Sequence, residues 1–141
     1  MYFLKHSSVI QGDVDDTLDV YFSLCSLKAG VAQAAHLTAL LASGGRAPGG
    51  GSRVLGAETV SAVVSLMATC GMYDESGAHL AATGLPAKSG VSGVIVAVAP
   101  GRAGIAVSSP RVNAKGGSVR GHAILGEISR SLAWHFALPV R

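Results

Sequence analysis

The sequence predicts an α+β fold in which three helices precede an antiparallel β-hairpin and a C-terminal helix. Two observations lead to this prediction. Apolar residues recur at helical spacing in three successive segments before residue 71, and the pattern then changes to a β-branched run from Val91 to Val98. Because the strands follow the helices instead of alternating with them, the pattern is not that of a βαβ fold.

Each of the three helical segments carries a start or stop signal. Asp13 is a good N-cap for the first helix. The apolar face of that helix holds Val14, Leu18, Tyr21, Phe22 and Cys25. Gly30 separates a second helix, which stops at the glycine signal of residues 43–45. A third helix is expected from about Ala57 to Thr69.

The second half of the chain predicts a loop, a hairpin and a helix. Residues 72–90 read as loop, and the strands Val91–Val98 and Ile105–Ser108 flank a turn. Ser118 can cap a helix that runs to about His135. Its expected core face holds Ile124, Leu125, Ile128, Leu132 and Phe136. We divide the chain into a helical portion, 1–71, and a loop, hairpin and helix portion, 72–141, of one incomplete domain.

The composition predicts a surface that is partly covered in the working protein. Apolar residues make up 49% of the chain and charged residues 13%, about half the usual charged share. We therefore expect a partner chain or further sequence to cover part of this surface. A two-stranded hairpin is also marginal alone, so further strands are expected beside it, some of them outside this chain.

Several classes of partner are disfavoured by the composition. The net charge of +3 comes from scattered basic residues, and aromatics are only 5%, which argues against nucleic-acid binding. The longest apolar run, Val94–Pro100, is too short to span a membrane. The five histidines form no ligand cluster with cysteine or carboxylate residues, and residues 49–52 lack the lysine of a phosphate-binding loop. We expect no metal and no cofactor.

The two cysteines indicate a reducing compartment. Cys25 and Cys70 both lie in apolar helical contexts. Two buried free thiols fit a cytoplasmic protein better than a secreted scaffold, which needs more cysteines. We therefore expect both thiols to be buried and the protein to be cytoplasmic.

Four ordered segments resemble the glutaminases of bacteria and mitochondria. The two most distinctive are SLMATCGMYDESG at 65–77 and GLPAKSGV at 84–91, and the others are 19–26 and 113–118 with the helix that follows. The resemblance implies a serine β-lactamase-like fold and hydrolysis of L-glutamine to L-glutamate and ammonia through a serine ester. It also implies self-association into a homo-oligomer. On this resemblance the chain is the C-terminal half of such an enzyme.

The resemblance also implies roles for particular residues. Lys88-Ser89-Gly90 matches the Lys-Ser/Thr-Gly element that lines the active site in this fold group. Lys88 then supplies positive charge, Ser89 and Gly90 lie at the substrate, and the backbone N–H of Val91 helps to form an oxyanion hole. Tyr73 matches an active-site tyrosine that relays a proton or holds the substrate, and Tyr21 matches a substrate-contact tyrosine. Ser92 and Val94 depart from the family pattern, since glycines are expected there.

The serine nucleophile is not found in these 141 residues. It should stand in a Ser-x-x-Lys motif, but the residues three positions before Lys5, Lys28, Lys88 and Lys115 are not serine. A thiol variant at 25–28 is disfavoured because that segment matches the Tyr21 region. We expect the nucleophile to belong to an absent N-terminal half and the chain alone to be inactive. Two alternatives stay open: a noncatalytic glutamine- or glutamate-binding or regulatory remnant, and an inactive truncated fragment.

Overall fold

The computed structural model describes residues 1–138 as a mixed α+β fold, as the sequence predicts. Its helices are α1 (Tyr2–His6), α2 (Val14–Cys25), α3 (Val31–Ala42), α4 (Ala57–Cys70), α5 (Ser76–Thr83) and α6 (Val119–Leu132). Its strands are β1 (Ala87–Ser89), β2 (Val94–Ala99) and β3 (Ala103–Ser108), and a single 3₁₀ turn spans Tyr73–Glu75. Asp13 caps α2 as expected, because its carboxylate accepts hydrogen bonds from the amides of Asp15 and Asp16.

The three strands form one antiparallel sheet in the order β1-β2-β3. Lys88 pairs with Val96, and Val98 pairs with Gly104. The expected hairpin is therefore present as β2 and β3. The additional strand β1 supports its other side and carries the Lys-Ser-Gly segment.

The sheet lies between two layers of helices, because alternate residues of β2 point to opposite faces. On one face, Ile95, Ala97 and Ala99 share a core with Leu85 and with Leu125 of α6. On the other face, a second core joins Val98 to α3 and α4 through Ala42 and Met67. The central strand β2 is thus covered on both sides, which accounts for its continuous apolar sequence.

Helix α3 packs very closely on β3 at Gly104. A Cβ added at Gly104 would lie 2.5 Å from the carbonyl oxygen of Ala35, and closer still to the backbone of Thr38 and Ala39. The hydroxyl of Thr38, which is buried, also reaches the carbonyl of Ile105. Only glycine permits this approach of helix backbone to strand backbone.

Three parts of the second half differ from the sequence prediction. Residues 72–90 are not a loop, because they contain the 3₁₀ turn, α5 and β1. Strand β2 begins at Val94 and not at Val91, because a tight turn occupies residues 90–93. Helix α6 ends at Leu132, short of His135. Its buried residues are Gly121, Leu125 and Ser129.

Much of the apolar surface is exposed within the described chain. In α2 only Val14 is buried, whereas Tyr21, Phe22 and Leu24 are exposed. Cys25 and Cys70 are free but exposed, so the expectation that both thiols are buried is wrong. Within residues 1–138, no helix is both long and apolar enough to cross a membrane.

Candidate active site

Tyr73 lies at the start of the 3₁₀ turn that joins α4 to α5. Its φ is +55°, a left-handed conformation that is uncommon for a residue with a side chain. The turn is held from inside by Ser76, whose hydroxyl accepts from the Met72 amide at 2.9 Å and donates to the Tyr73 carbonyl at 2.7 Å. The Tyr73 side chain is 60% exposed, so the turn presents its phenol outward.

Lys88 brings its ammonium group to the same place. Its Nζ lies 4.5 Å from the centroid of the Tyr73 ring, within the range of a cation–π contact. The ammonium also donates to the carbonyl of Ser89, the next residue of β1. The side chain of Ser89 is buried on the opposite face of the strand. The sheet therefore directs Lys88 alone towards Tyr73.

The link between α4 and β1 makes this proximity possible. The Ser89 amide donates to the Gly71 carbonyl at 3.1 Å. A Cβ added at Gly71 would overlap the carbonyl of Ala87 and lie 2.6 Å from that of Met67. Gly71 therefore lets the end of α4 touch β1 directly, which sets the distance between Tyr73 and Lys88.

A tight turn over residues 90–93 follows β1. The Gly90 amide donates to the Val94 carbonyl at 2.8 Å, and the Gly93 amide donates to the Gly90 carbonyl at 2.9 Å. Gly93 has a φ of +85°, which glycine adopts at little cost. Within the described chain a Cβ would fit at Gly90, so it is Gly93 whose conformation the turn requires.

Val91 stands at the exposed tip of this turn. Its side chain is 80% exposed. Its amide donates to no backbone carbonyl among residues 1–138, whereas the amides of Gly90 and Gly93 are both occupied. A free backbone N–H in a turn fixed on both sides is the kind of donor that an oxyanion hole uses. We name Tyr73, Lys88 and residues 90–93 the site wall.

Tyr21 lies on α2 and is 55% exposed. A hydrogen bond with the Cys25 thiol, one helical turn along, is the main cause that raises the pKa of the Tyr21 phenol, and the charge of Tyr73 adds a smaller contribution.

An apolar groove opens beside Lys88. It has a volume of about 400 Å³. Its lining residues are Val63, Leu66, Met67, Cys70, Gly71 and Lys88. Lys88 is the one charged residue among these, so the groove leads from the apolar side of α4 to the ammonium group.

Polar residues that the sequence analysis did not assign to the site support the Tyr73 turn. Asp74 forms an ion pair of 2.8 Å with Lys115. The carboxylate of Glu75 accepts a hydrogen bond from the side-chain amide of Asn113 at 2.9 Å. The Lys115 ammonium lowers the pKa of Asp74, and the Asp74 carboxylate raises the pKa of Lys115. The segment 113–118 could be identified by its resemblance, but nothing in the sequence indicates which residues it contacts.

A buried histidine pair lies behind these carboxylates. The Nδ1 atoms of His79 and His122 are 3.1 Å apart, and Thr83 lies 3.3 Å from the Nε2 of His79. Burial, together with the neighbouring His122, lowers the pKa of His79 to about 4. The pair therefore belongs to the core between α5 and α6. No group of three or more His, Cys, Asp or Glu side chains within residues 1–138 could hold a metal ion.

The arrangement presents a positive charge and a backbone N–H that can stabilise a negative charge developing beside them. A cation, a phenol and a free amide lie together at the start of an antiparallel sheet that helices cover on both faces. The helical cover of the sheet and the Lys-Ser-Gly segment at the end of β1 place the chain in the class of proteins with the β-lactamase-like fold.

Comparison with known proteins specifies the family. The glutaminase family matches residues 1–136, and the chain belongs to this family. It is 53% identical over 138 residues to a glutaminase of Legionella pneumophila (strain Paris), covering 98% of this chain and 44% of that protein. The chain thus spans less than half the length of this relative.

Solved glutaminase structures share the fold. The protein Mglu in its glutamate form has a TM-score of 0.92 and 36% identity, over 99% of this chain and 32% of that one. A Bacillus subtilis glutaminase in covalent complex with 5-oxo-L-norleucine, formed from 6-diazo-5-oxo-L-norleucine, has a TM-score of 0.91 and 31% identity. That match covers 96% of this chain and 49% of the Bacillus protein. The predictions of the family, the fold class and a partial match are therefore confirmed.

Proposed function

We propose that this chain supplies one wall of the active site of a glutaminase, which hydrolyses L-glutamine to L-glutamate and ammonia. The observation that carries the proposal is the meeting of the Lys88 ammonium, the Tyr73 ring and the free Val91 amide. Glutamate in the Mglu structure and the covalent ligand of the Bacillus enzyme support an amino-acid substrate with a carbonyl group in its side chain.

In the proposed reaction a serine from outside these 141 residues attacks the side-chain amide carbon of glutamine. The Val91 N–H stabilises the oxyanion that develops, and the positive charge of Lys88 favours the negative charge at the site. Tyr73 relays the proton that the serine hydroxyl loses to the departing nitrogen, so that the C–N bond breaks, ammonia leaves and a γ-glutamyl ester remains on the serine. Water then cleaves the ester to give glutamate. Tyr21 and Gly90 are proposed to line the substrate pocket, and Ser89 is proposed to line it through its backbone, because its side chain is buried on the opposite face of β1.

The serine has to come from another polypeptide segment. None of the four lysines here has a serine three residues before it, and the chain spans 44% of the Legionella relative. The exposed apolar residues of α2 and the groove beside Lys88 fit a surface that such a segment covers. We propose that the working enzyme is a cytoplasmic homo-oligomer. The low charged fraction and the free thiols support this proposal.

The test is an assay of ammonia release from L-glutamine. We expect background rates for this chain alone and activity after mixing with a polypeptide equivalent to the remaining part of the Legionella relative. Val91→Pro removes the backbone N–H and should lower kcat by roughly 10²- to 10³-fold, the usual effect of losing one oxyanion donor. Val91→Ala is the matched control and should retain activity. Ammonia release by the chain alone, or equal rates for the two variants, would contradict the proposal.

The second candidate, a noncatalytic binding module, is favoured because the chain has the site wall but no Ser-x-x-Lys motif. It predicts that the chain alone binds L-glutamate without turnover. Isothermal titration calorimetry with L-glutamate measures this directly. Binding with no activity in any mixture would favour this candidate over the enzyme.

A further inference from the structure

The loop 113–117 is fixed by its own hydrogen bonds. The side-chain oxygen of Asn113 accepts from the amides of Lys115 and Gly117, both at 2.9 Å. The backbone amide of Asn113 donates to the Gly117 carbonyl at 2.8 Å. An antiparallel β-bridge joins Val112 to Ser118 just outside the loop. Asparagine is well suited to such a turn because its side chain replaces a backbone acceptor. The loop therefore reaches its neighbours with a defined shape.

This loop contacts the Tyr73 turn at two neighbouring carboxylates. The Nδ2 of Asn113 donates to Oε1 of Glu75 at 2.9 Å, and Lys115 pairs with Asp74 at 2.8 Å. The ion pair is exposed on both sides, so it contributes little. The bond to Glu75 is partly buried, and hydrogen bonds to ionised groups are stronger there. Asn113 is therefore the principal contact.

The loop also reaches the other end of the site wall. A Cβ added at Gly116 would lie 3.7 Å from Cγ1 of Val91, an ordinary van der Waals distance. A Cβ at Gly117 would lie 2.7 Å from Oε2 of Glu75 and 2.9 Å from Nε2 of His122. The backbone of Gly117 thus lies against the side chains of Glu75 and His122, and a Cβ there would displace one of them. One short loop therefore contacts the Tyr73 turn and lies close to the 90–93 turn.

Tyr73 needs such support because its backbone is strained. A left-handed conformation at a non-glycine residue such as Tyr73 is unfavourable and persists only where neighbours hold it. Ser76 holds the turn from within, but the turn has to be held against the sheet as well. Two side-chain links join the 113–117 loop to this turn. The bond between Asn113 and Glu75 is the more buried of the two.

We propose that Asn113 is a positioning residue for Tyr73, acting through the side chain of Glu75. By holding Glu75, it keeps the Tyr73 ring against the Lys88 ammonium and thereby keeps the site wall in its reactive arrangement. The proposal rests on the glutaminase function for its importance in catalysis, but the geometric claim can be tested without any catalysis.

The test exchanges the side-chain amide of Asn113 and the carboxylate of Glu75 between the two positions. Asn113→Asp keeps the oxygen that shapes the loop but places a carboxylate against the carboxylate of Glu75. Glu75→Gln keeps an oxygen that accepts from Asn113. In the double variant the new amide donates to the new carboxylate, so the hydrogen bond returns with its direction reversed. Lys115→Met is the matched control, since it removes only the exposed ion pair.

The readout is the ring-current shift that Tyr73 produces on the εCH₂ protons of Lys88. Lysine labelled with ¹³C at Cε gives four signals here, and Lys88→Arg identifies the relevant one. We expect Asn113→Asp to reduce the upfield shift by at least half. We expect Glu75→Gln and Lys115→Met to retain it, and the double exchange to restore at least half of the loss. Should Asn113→Asp fail to fold, Glu75→Met removes the acceptor while leaving the loop's own turn intact, and it should reduce the shift equally.

An unchanged Lys88 signal in the disrupting variant, or restoration of less than half in the double exchange, overturns the proposal. A second assay separates failure of the positioning role from failure of the glutaminase function. It measures ammonia release after this chain is mixed with the serine-bearing polypeptide. In that assay Asn113→Asp should lower kcat by roughly ten- to a hundredfold, and the double exchange should restore it. Glutaminase activity with an insensitive Lys88 signal would refute the positioning role alone. A sensitive signal without any activity would refute the enzyme alone.

Discussion

Replacing Gly104 by alanine should destabilise the fold strongly, because α3 lies directly on this residue. The added Cβ would stand 2.5 Å from the Ala35 carbonyl oxygen, whereas ordinary contacts begin near 3.4 Å. Helix α3 must therefore move by about 1 Å or the strand must bend. Overpacking of this kind costs about 1–3 kcal/mol, and backbone atoms have little freedom to yield, so we expect at least about 2 kcal/mol. With a urea m-value of about 2 kcal/mol/M, the unfolding midpoint falls by about 1 M.

Gly126→Ala is the matched control for this experiment. Gly126 lies inside α6, and a Cβ added there meets no atom within 4 Å. Since alanine is the better helix former, this variant should gain about 0.5–1 kcal/mol. Urea unfolding followed by far-UV circular dichroism measures both variants. A Gly104→Ala midpoint equal to or above that of the original chain would refute the packing of α3 on β3 described above.

Three further predictions concern titration, thiols and the ion pair. The pKa of His79 is lowered from 6.5 to about 4, so the unfolded chain binds the proton more readily, and stability should fall by up to about 3 kcal/mol between pH 7 and pH 4. His79→Gln should flatten this loss in urea unfolding, and an equal pH slope for both proteins would contradict it. Cys25 and Cys70 should both react with a thiol reagent in the native protein, and fewer than two reactive thiols would contradict their exposure. Asp74→Asn should leave the urea unfolding midpoint where it is in the original chain, and a clear fall of the midpoint would contradict a solvent-screened pair.

The sequence predicts the helices and the hairpin well because their signals are local. Asp13 caps α2, glycines flank α3, and β-branched residues mark β2, as the pattern indicates. The pairing of Tyr73 with Lys88 in one wall also agrees with the resemblance. The division into portions 1–71 and 72–141 and the individual catalytic roles stay predictions.

The helix and the strand within residues 72–90 cannot be predicted from the sequence, and the reason is physical. Helix α5 has eight residues, and the side chains it buries are Ser76, His79 and Thr83, so it has no apolar stripe. These residues are polar yet buried because they bond to one another and to the backbone. Strand β1 has three residues, which is too few for a visible alternation.

The buried face of α6 differs from the predicted one because apolar residues alone do not identify it. Of the expected face, Leu125 is buried, but Ile124, Leu132 and Phe136 are exposed. The buried residues of α6 include Gly121, whose small size lets the helix approach Ile95 of β2, and Ser129. Ser129 also donates to the Thr83 carbonyl, a contact between helices that no periodicity reveals.

The site wall is assembled from one continuous stretch of chain between Gly71 and Ala97. Its pairings, Ser89 to Gly71 and Lys88 to Val96, link residues close in sequence, so closing these loops costs little chain entropy. The contact of α3 with β3, by contrast, joins Thr38 to Ile105. Short-range contacts of the first kind form fastest during folding. The site wall can therefore form early in folding, before α3, which is distant in sequence, packs on the far side of the sheet.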